Sequence, residues 1–200
     1  MVTSSLPAEG KTTTAVNTAV SMAMTGAKVL IIDADLRHPR LHAIFGQNND
    51  QGLSTILTKS MTEAEMLRLV TIDEATGLAL LSSGAVPENP AELLGSEQMP
   101  EILTILAKHF DHVVIDSPPV ATFTDGVLLS SMVDGVILVV NSGKTSRDIV
   151  RRTQKMLQDI GSRIYGVVLN KVKQSSASHY LPYYQQHYYK ADRRSAGRAA

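Results

Sequence analysis

The sequence predicts an α/β fold, a doubly wound and mostly parallel sheet flanked by helices in a three-layer sandwich. Short apolar runs without polar alternation recur along the chain, as strands buried in parallel sheets do. Segments with helical spacing stand between these runs, as right-handed crossover connections require. With 200 residues, 44% of them hydrophobic and 19% charged, the chain is long enough for one such domain.

Six strands are predicted, and all are expected to be buried on both faces. The first ends at 1–3 and leads straight into a loop. Because buried strands usually have about five to six residues, we expect further residues upstream of Met1. The other five strands are, in order, 28–33, 78–82, 113–116, 135–140 and 164–170.

Helices are predicted between these strands. The first covers 12–25, where small and apolar residues follow a helical spacing and Gly26 stands at a C-cap position. The remaining helices are expected at 91–94, 100–109, 125–132 and 146–160.

The composition changes after Lys173. The segment 174–200 is rich in Ser, Gln, Tyr, Ala and Arg and almost lacks aliphatic residues. We therefore expect a folded domain at 1–173 and a flexible tyrosine-rich tail at 174–200.

The composition excludes several classes of function. Nineteen acidic and nineteen basic residues cancel, so nothing draws the chain to nucleic acid. The absence of cysteine excludes disulfides, thiolate metal sites and a cysteine nucleophile, and it fits a reducing cytoplasm. No apolar run reaches the ~20 residues of a membrane span, and Met1 does not begin a signal peptide.

The loop after the first strand, SLPAEGKT at 5–12, has the pattern of a phosphate-binding P-loop with Ser5 in the place of the usual first glycine. Gly10 lets the backbone curl around phosphate, Lys11 reaches the β- and γ-phosphates, and the Thr12 hydroxyl binds Mg²⁺. A bare GK[ST] sequence also occurs by chance in loops. The position at a strand-to-helix junction favours a nucleotide site, with candidate ATP ligands Ala8, Glu9, Gly10, Lys11, Thr12 and Thr13.

Acidic residues close two further strands. Asp33 and Asp35 follow the second strand, and Asp116 closes the fourth. In a doubly wound sheet these strand ends face one crevice, so Lys11, Asp33 and Asp116 are expected to converge on one nucleotide. Strand-end aspartates also serve as turn residues or helix N-caps. Their coincidence beside a P-loop favours the nucleotide site.

These segments resemble those of bacterial tyrosine kinases. VLIIDADLR at 29–37 is similar to the Walker A′ motif of that family, and VVIDSPP at 113–119 is similar to its Walker B motif. The resemblance spans 2 to about 173, and the final tyrosines extend it to Tyr189. Supporting segments are RHPRLH at 37–42, FG at 45–46, GLS at 52–54, Gly84, and PENPAELL at 87–94.

The resemblance implies a P-loop NTPase fold and phosphoryl transfer from ATP, with Mg²⁺, to tyrosine. It implies that Lys11 and Thr12 hold phosphate and magnesium, and that Asp33 and Asp35 act around the transferred group. Asp33 is expected to orient the phenol or accept its proton. The implied catalytic residues are Lys11, Asp33, Asp35 and Asp116. The implied metal site consists of Thr12, Asp35 and Asp116, partly through water.

Asn170, at the end of the last predicted strand, has two interpretations. Related ATPases read adenine at this position, which makes Asn170 a candidate nucleotide ligand. It is equally interpretable as a strand-end turn residue.

The chain departs from related patterns at three points. Ala8 replaces a glycine common in this loop, and Leu6 stands where partition-type and nitrogenase-iron-protein ATPases carry a signature lysine. The Glu-x-x-Arg-x-x-Arg segment used by the family for ring assembly is absent from the sequence. The rival interpretations are a P-loop ATPase switch that positions cargo without kinase activity and a binding module with a decayed site. The missing signature lysine argues against the first, and the intact loop and acids argue against the second.

A tyrosine cluster marks the tail. Five of the six tyrosines fall within ten residues, with glutamine and histidine between them and no steady period. Aromatic residues can also pin a tail to a domain or stack on a partner. We expect exposed phenols within reach of a kinase in a neighbouring subunit, with candidate phosphoacceptors Tyr180, Tyr183, Tyr184, Tyr188 and Tyr189.

The resemblance also implies partners and a location. These are copies of the chain, arranged in a homo-oligomer or ring, and a transmembrane activator protein or fused membrane segment. It implies phosphorylation in trans, regulation of extracellular or capsular polysaccharide synthesis and export, and a place at the cytoplasmic face of the membrane.

Overall fold

The computed structural model describes residues 1–173 and places seven strands in one sheet. Across the sheet the order is β3-β4-β2-β5-β1-β6-β7, and only the β3–β4 pair is antiparallel. This confirms the predicted doubly wound, mostly parallel sheet. The strands are β1 (Val2–Ser4), β2 (Val29–Asp33), β3 (Thr71–Ile72), β4 (Ala79–Leu81), β5 (His112–Asp116), β6 (Val136–Asn141) and β7 (Ile164–Asn170).

Helices cover both faces of the sheet. Alternate residues of β2 point to opposite sides, so Ile31 packs with α1 and Ile32 packs with α3–α7. The result is the predicted three-layer arrangement. The helices are α1 (Lys11–Ala23), α2 (Leu41–Ile44), α3 (Leu53–Thr58), α4 (Glu63–Arg68), α5 (Pro90–Leu94), α6 (Gln98–Ala107), α7 (Asp125–Ser130) and α8 (Arg147–Asp159).

The five predicted helices begin and end within about two residues of α1, α5, α6, α7 and α8. The short elements α2, α3, α4 and β3 were not predicted. The missed helices have four to six residues and the missed strand has two, but length alone does not explain the misses, because α5 and α7 are also only five and six residues long. Asp116 therefore closes the fifth strand along the chain rather than the fourth.

The prediction that every strand is buried on both faces is wrong for β7. Tyr165, Val167 and Leu169 are each 58% exposed. The strand lies at the edge of the sheet and pairs only with β6 among the described residues. Helix α8 buries Leu157 against Val136 of β6, and it does not cover the later residues of β7.

The chain between 1 and 173 contains no helix that is both long and apolar enough to cross a membrane. Met1 extends the pairing of β1, because its amino group donates to the Gly135 carbonyl at 2.9 Å and its carbonyl accepts from Ile137. The predicted tail at 174–200 lies outside the described residues.

Candidate nucleotide site

The predicted nucleotide ligands meet at the carboxyl ends of three neighbouring strands. β5 lies between β2 and β1, and Asp116 is in register with Asp33 on one side and Val2 on the other. The loop that follows β1 therefore opens beside both acidic strand ends. This is the crevice that the sequence predicted.

The loop backbone presents unpaired donors. Among residues 1–173 the structure provides no hydrogen-bond acceptor for the amide N–H groups of Gly10, Lys11, Thr12 and Thr13. Gly10 has φ +101°, and a Cβ added there would lie 2.0 Å from Nδ2 of Asn170. Only glycine fits at this position, and α1 begins directly after it. Successive N–H groups at a helix start form an anion-binding cradle.

Lys11 connects the loop to two of the predicted acids. Its Nζ lies 2.7 Å from Oδ2 of Asp35, 3.7 Å from Oδ1 of Asp116 and 3.5 Å from Oγ1 of Thr12. Asp35, Asp116 and Thr12 thus surround the ammonium group of the lysine. Asp35 is also tied to its own loop, since its Oδ1 accepts from the His38 amide at 3.1 Å.

Asp116 is buried, and neither of its carboxylate oxygens has a hydrogen-bond donor within the described part of the chain. Burial raises the pKa of Asp116 to about 7, and the nearby Lys11 charge opposes this shift. A buried carboxylate with free lone pairs fits the second shell of a hydrated Mg²⁺, and the Thr12 hydroxyl lies beside it. Within 1–173 no group of three or more His, Cys, Asp or Glu residues is placed to bind a metal directly.

Asp33 has a different environment from the other two acids. Its Oδ2 accepts from the amides of Arg40 and Leu41 at 2.9 Å each, and its Oδ1 accepts from the Asp35 amide at 3.3 Å. Burial raises the pKa of Asp33 to about 6, although the backbone donors oppose the shift. This carboxylate therefore holds the loop between β2 and α2, which is the turn-residue interpretation left open above.

Three further predicted ligands make contacts within the protein around the phosphate loop. The Glu9 side chain is buried and its carboxylate points into the protein. Asn170 Nδ2 donates to the Glu9 carbonyl at 2.9 Å, and its Oδ1 accepts from the Lys171 amide at 2.8 Å. These contacts of Asn170 are those expected of a strand-end turn residue. Its recognition of adenine stays a prediction. Ala8 has a positive φ of 60°, and its carbonyl accepts from Lys171 Nζ at 2.7 Å.

Sequence reasoning missed one ion pair beside the site. The guanidinium of Arg37 donates to both oxygens of Asp125, from Nε at 2.7 Å and from Nη2 at 3.2 Å. The same group lies 4.4 Å from the ring centre of Phe123. Arg37 belongs to the quoted DADLR segment, but nothing in the sequence indicates that its partner is 88 residues away.

A P-loop, a lysine between strand-end carboxylates and a parallel sheet together define a P-loop nucleotide-binding protein. A family model described as an AAA domain matches residues 8–167. Tyrosine-protein kinase YwqD of Bacillus subtilis (strain 168) is 39% identical over 180 residues, 90% of this chain and 75% of that protein. The chain belongs to the family of bacterial tyrosine-protein kinases, and it is an enzyme of that class.

Two further similarities agree with this assignment. Tyrosine-protein kinase ptk of Acinetobacter johnsonii is 34% identical over 173 residues, which are 86% of this chain and 23% of that protein. The crystal structure of the VpsO kinase domain superimposes with a TM-score of 0.81 at 38% identity. That match covers 86% of this chain and 84% of that one.

Proposed function

We propose that this kinase transfers the γ-phosphoryl group of ATP to the tyrosines of its own C-terminal cluster, delivered by a neighbouring copy of the chain. The observation that carries the proposal is the position of Lys11 between Asp35 and Asp116, beside unpaired loop amides. An ammonium group and aligned N–H donors stabilise charge on a transferring phosphoryl group.

In this proposal the phosphate is held by the amides of Gly10–Thr13 and by Lys11. Thr12, Asp35 and Asp116 would hold Mg²⁺, the acids partly through water. When bound, Mg²⁺ neutralises charge on the phosphate oxygens. Because Lys11 lies 2.7 Å from Asp35, the lysine and the acid are positioned as one unit before phosphate arrives.

The proton of the tyrosine hydroxyl needs an acceptor near the attacking oxygen. We propose Asp33, which the sequence favoured, as the carboxylate that orients the phenol and accepts its proton. Backbone amides hold its position, and burial raises its pKa to about 6, which makes it a better proton acceptor than an ordinary carboxylate. Asp35 is occupied by Lys11 and by the His38 amide, and in this proposal it stays with the metal.

The proposal extends to partners. In the Acinetobacter relative the matched region is 23% of a longer protein, whereas in the Bacillus relative it is 75%. The matched region thus makes up most of one relative and less than a quarter of another. We propose activation at the inner face of the membrane, by a transmembrane protein or a fused membrane segment, and control of capsular or other extracellular polysaccharide synthesis and export.

A mixing experiment tests delivery from a neighbouring copy. A Lys11→Met chain with intact tyrosines is incubated with ATP, Mg²⁺ and an active chain whose tail tyrosines are phenylalanine. Phosphotyrosine should appear on the Lys11→Met chain, because the active chain supplies the site and the inactive one supplies the phenols. The five replaced residues are Tyr180, Tyr183, Tyr184, Tyr188 and Tyr189.

Lys11 neutralises two buried acids, so thermal melting must first show that Lys11→Met is folded. An Asp35→Asn chain serves as a second inactive acceptor. If neither acceptor is labelled while the unmodified chain labels itself at a rate independent of its concentration, phosphorylation occurs in cis and the proposal is wrong.

A further inference from the structure

Glu9 places an acidic side chain inside a loop that binds phosphate. A carboxylate facing the phosphates would repel them, but the Glu9 residue is only 2% exposed and its side chain turns away from the crevice. A buried carboxylate is costly unless it is hydrogen-bonded. The hydrogen-bond partners of the Glu9 carboxylate therefore indicate its role.

Three donors converge on the Glu9 carboxylate. Oε2 accepts from the Leu6 amide at 2.7 Å, and Oε1 accepts from the Asn141 amide at 3.1 Å. Oε1 also accepts from the hydroxyl of Thr145. Leu6 lies at the start of the phosphate loop, whereas Asn141 ends β6 and Thr145 precedes α8. The carboxylate thus closes the loop on itself and joins it to the β6–α8 connection.

The main chain next to Glu9 is held from the other side. Asn170 donates to the Glu9 carbonyl at 2.9 Å, and Lys171 donates to the Ala8 carbonyl at 2.7 Å. Ala8 keeps a left-handed backbone, φ 60°, which is unfavourable for any residue with a Cβ. Contacts on both sides of this segment maintain a conformation that the segment alone would not favour.

We propose that Glu9 is a positioning residue for nucleotide binding. Its carboxylate does not touch the nucleotide. It fixes the loop so that the amides of Gly10–Thr13 point at the phosphates, and Thr145 links that geometry to the start of α8. The inference concerns the nucleotide site alone and does not depend on which tyrosine receives the phosphate.

The test measures ADP binding to the full chain, with Mg²⁺, by calorimetric titration. Glu9→Gln keeps the size of the side chain but replaces one acceptor with a donor that faces other donors. Its Kd should rise at least about tenfold, the effect of losing one hydrogen bond to a charged group. Thr145→Val removes the hydroxyl donor and should raise Kd about three- to tenfold. Thr145→Ser keeps the donor, so its Kd should stay below that of Thr145→Val.

A matched control is available in α8. Thr153 is fully buried, and its hydroxyl has no hydrogen-bond partner in the described part of the chain. Thr153→Val makes the same chemical change away from the loop, so its Kd should stay within about twofold of the parent value. In kinase assays, Glu9→Gln should raise KM for ATP by a larger factor than it lowers kcat, since a positioning role acts on binding.

A double variant distinguishes a positioning role of the Glu9–Thr145 contact from general damage to the fold. In the Glu9→Gln and Thr145→Val double variant, Kd should rise by less than the product of the two single effects, because both changes break one contact. Fully multiplicative effects, or a parent-like Kd in Glu9→Gln, would overturn the proposal. If Glu9→Gln does not fold, equal Kd values for Thr145→Val and Thr145→Ser overturn it instead. An unchanged Kd in Glu9→Gln counts against this inference alone, whereas a parent chain that binds ADP but forms no phosphotyrosine counts against the proposed function alone.

Discussion

At the scale of single residues, two buried carboxylates make the site sensitive to pH. Burial raises the pKa of Asp116 to about 7 and that of Asp33 to about 6, from an ordinary value of 3.8. The folded protein therefore holds these protons more tightly than the unfolded chain does. The stabilisation that comes from binding these two protons is complete below pH 3.8. It is lost as the pH rises through the folded-state pKa values of about 6 for Asp33 and about 7 for Asp116.

This linkage predicts the behaviour of Asp116→Asn without nucleotide or Mg²⁺. The amide cannot ionise, so the variant avoids the cost of a buried charge. Its melting temperature should exceed that of the parent at pH 8 by roughly 5–10 °C, and the difference should shrink as the pH falls to 5. Calorimetric melting at several pH values measures it. A difference that stays constant or grows on acidification would show that Asp116 is ionised throughout this range.

The residues whose chemistry depends on a motif were predictable from the sequence. Lys11, Asp33 and Asp116 were expected in one crevice because strand ends of a parallel sheet meet there. The direction of a side chain was not predictable. Glu9 was expected to act at the nucleotide, but in the structure its carboxylate binds backbone amides inside the protein, and Asp33 also accepts from backbone amides. Those donors come from residues whose proximity only the fold establishes.

At the scale of elements, the Arg37–Asp125 pair joins the loop after β2 to the start of α7. Asp125 is fully buried, and the guanidinium binds both of its oxygens while lying over the ring of Phe123. An ion pair with two parallel hydrogen bonds between planar groups is stronger than an ordinary surface ion pair. The contact therefore fixes the DADLR loop, which carries Asp35, against the helix layer.

We predict that Asp125→Asn lowers the free energy of unfolding by about 1.5–3 kcal/mol, because it weakens a buried, charged hydrogen-bonded pair. Urea denaturation measures the change. Asp148→Asn is the matched control, since Asp148 and Arg151 are exposed and 3.9 Å apart, and it should shift stability by less than about 0.5 kcal/mol. Equal effects in the two variants would mean that the Arg37 contact does not stabilise the fold.

The longer helices were predicted well, whereas only some of the short elements were: α5 and α7 were found, and α2, α3, α4 and β3 were missed. Helix α8 was found within one residue at each end, whereas the four-residue α2 left no pattern in the sequence. The apolar run of β7 was assigned to a strand correctly but to the wrong environment. Composition alone does not distinguish a central strand from an edge strand, because both favour β-branched residues.

At the scale of the whole molecule, the tyrosines proposed to receive phosphate come later in the sequence than every residue of the nucleotide site. The sixth tyrosine, Tyr165, is 58% exposed but lies within β7, where backbone pairing with β6 fixes it. The cluster at 180–189 follows the last described residue, Lys173, by a short length of chain. Tyr165 is therefore an internal control, because its side chain is exposed to solvent but its backbone is held in the sheet and cannot carry it to another active site.

The most direct test of tyrosine transfer to the tail is mass-spectrometric mapping of phosphate on the full chain after incubation with ATP and Mg²⁺. We predict phosphotyrosine within 180–189, none at Tyr165 and none anywhere in the folded Lys11→Met variant. ATP hydrolysis without phosphotyrosine, or phosphate at Tyr165 with an unmodified cluster, would contradict the account.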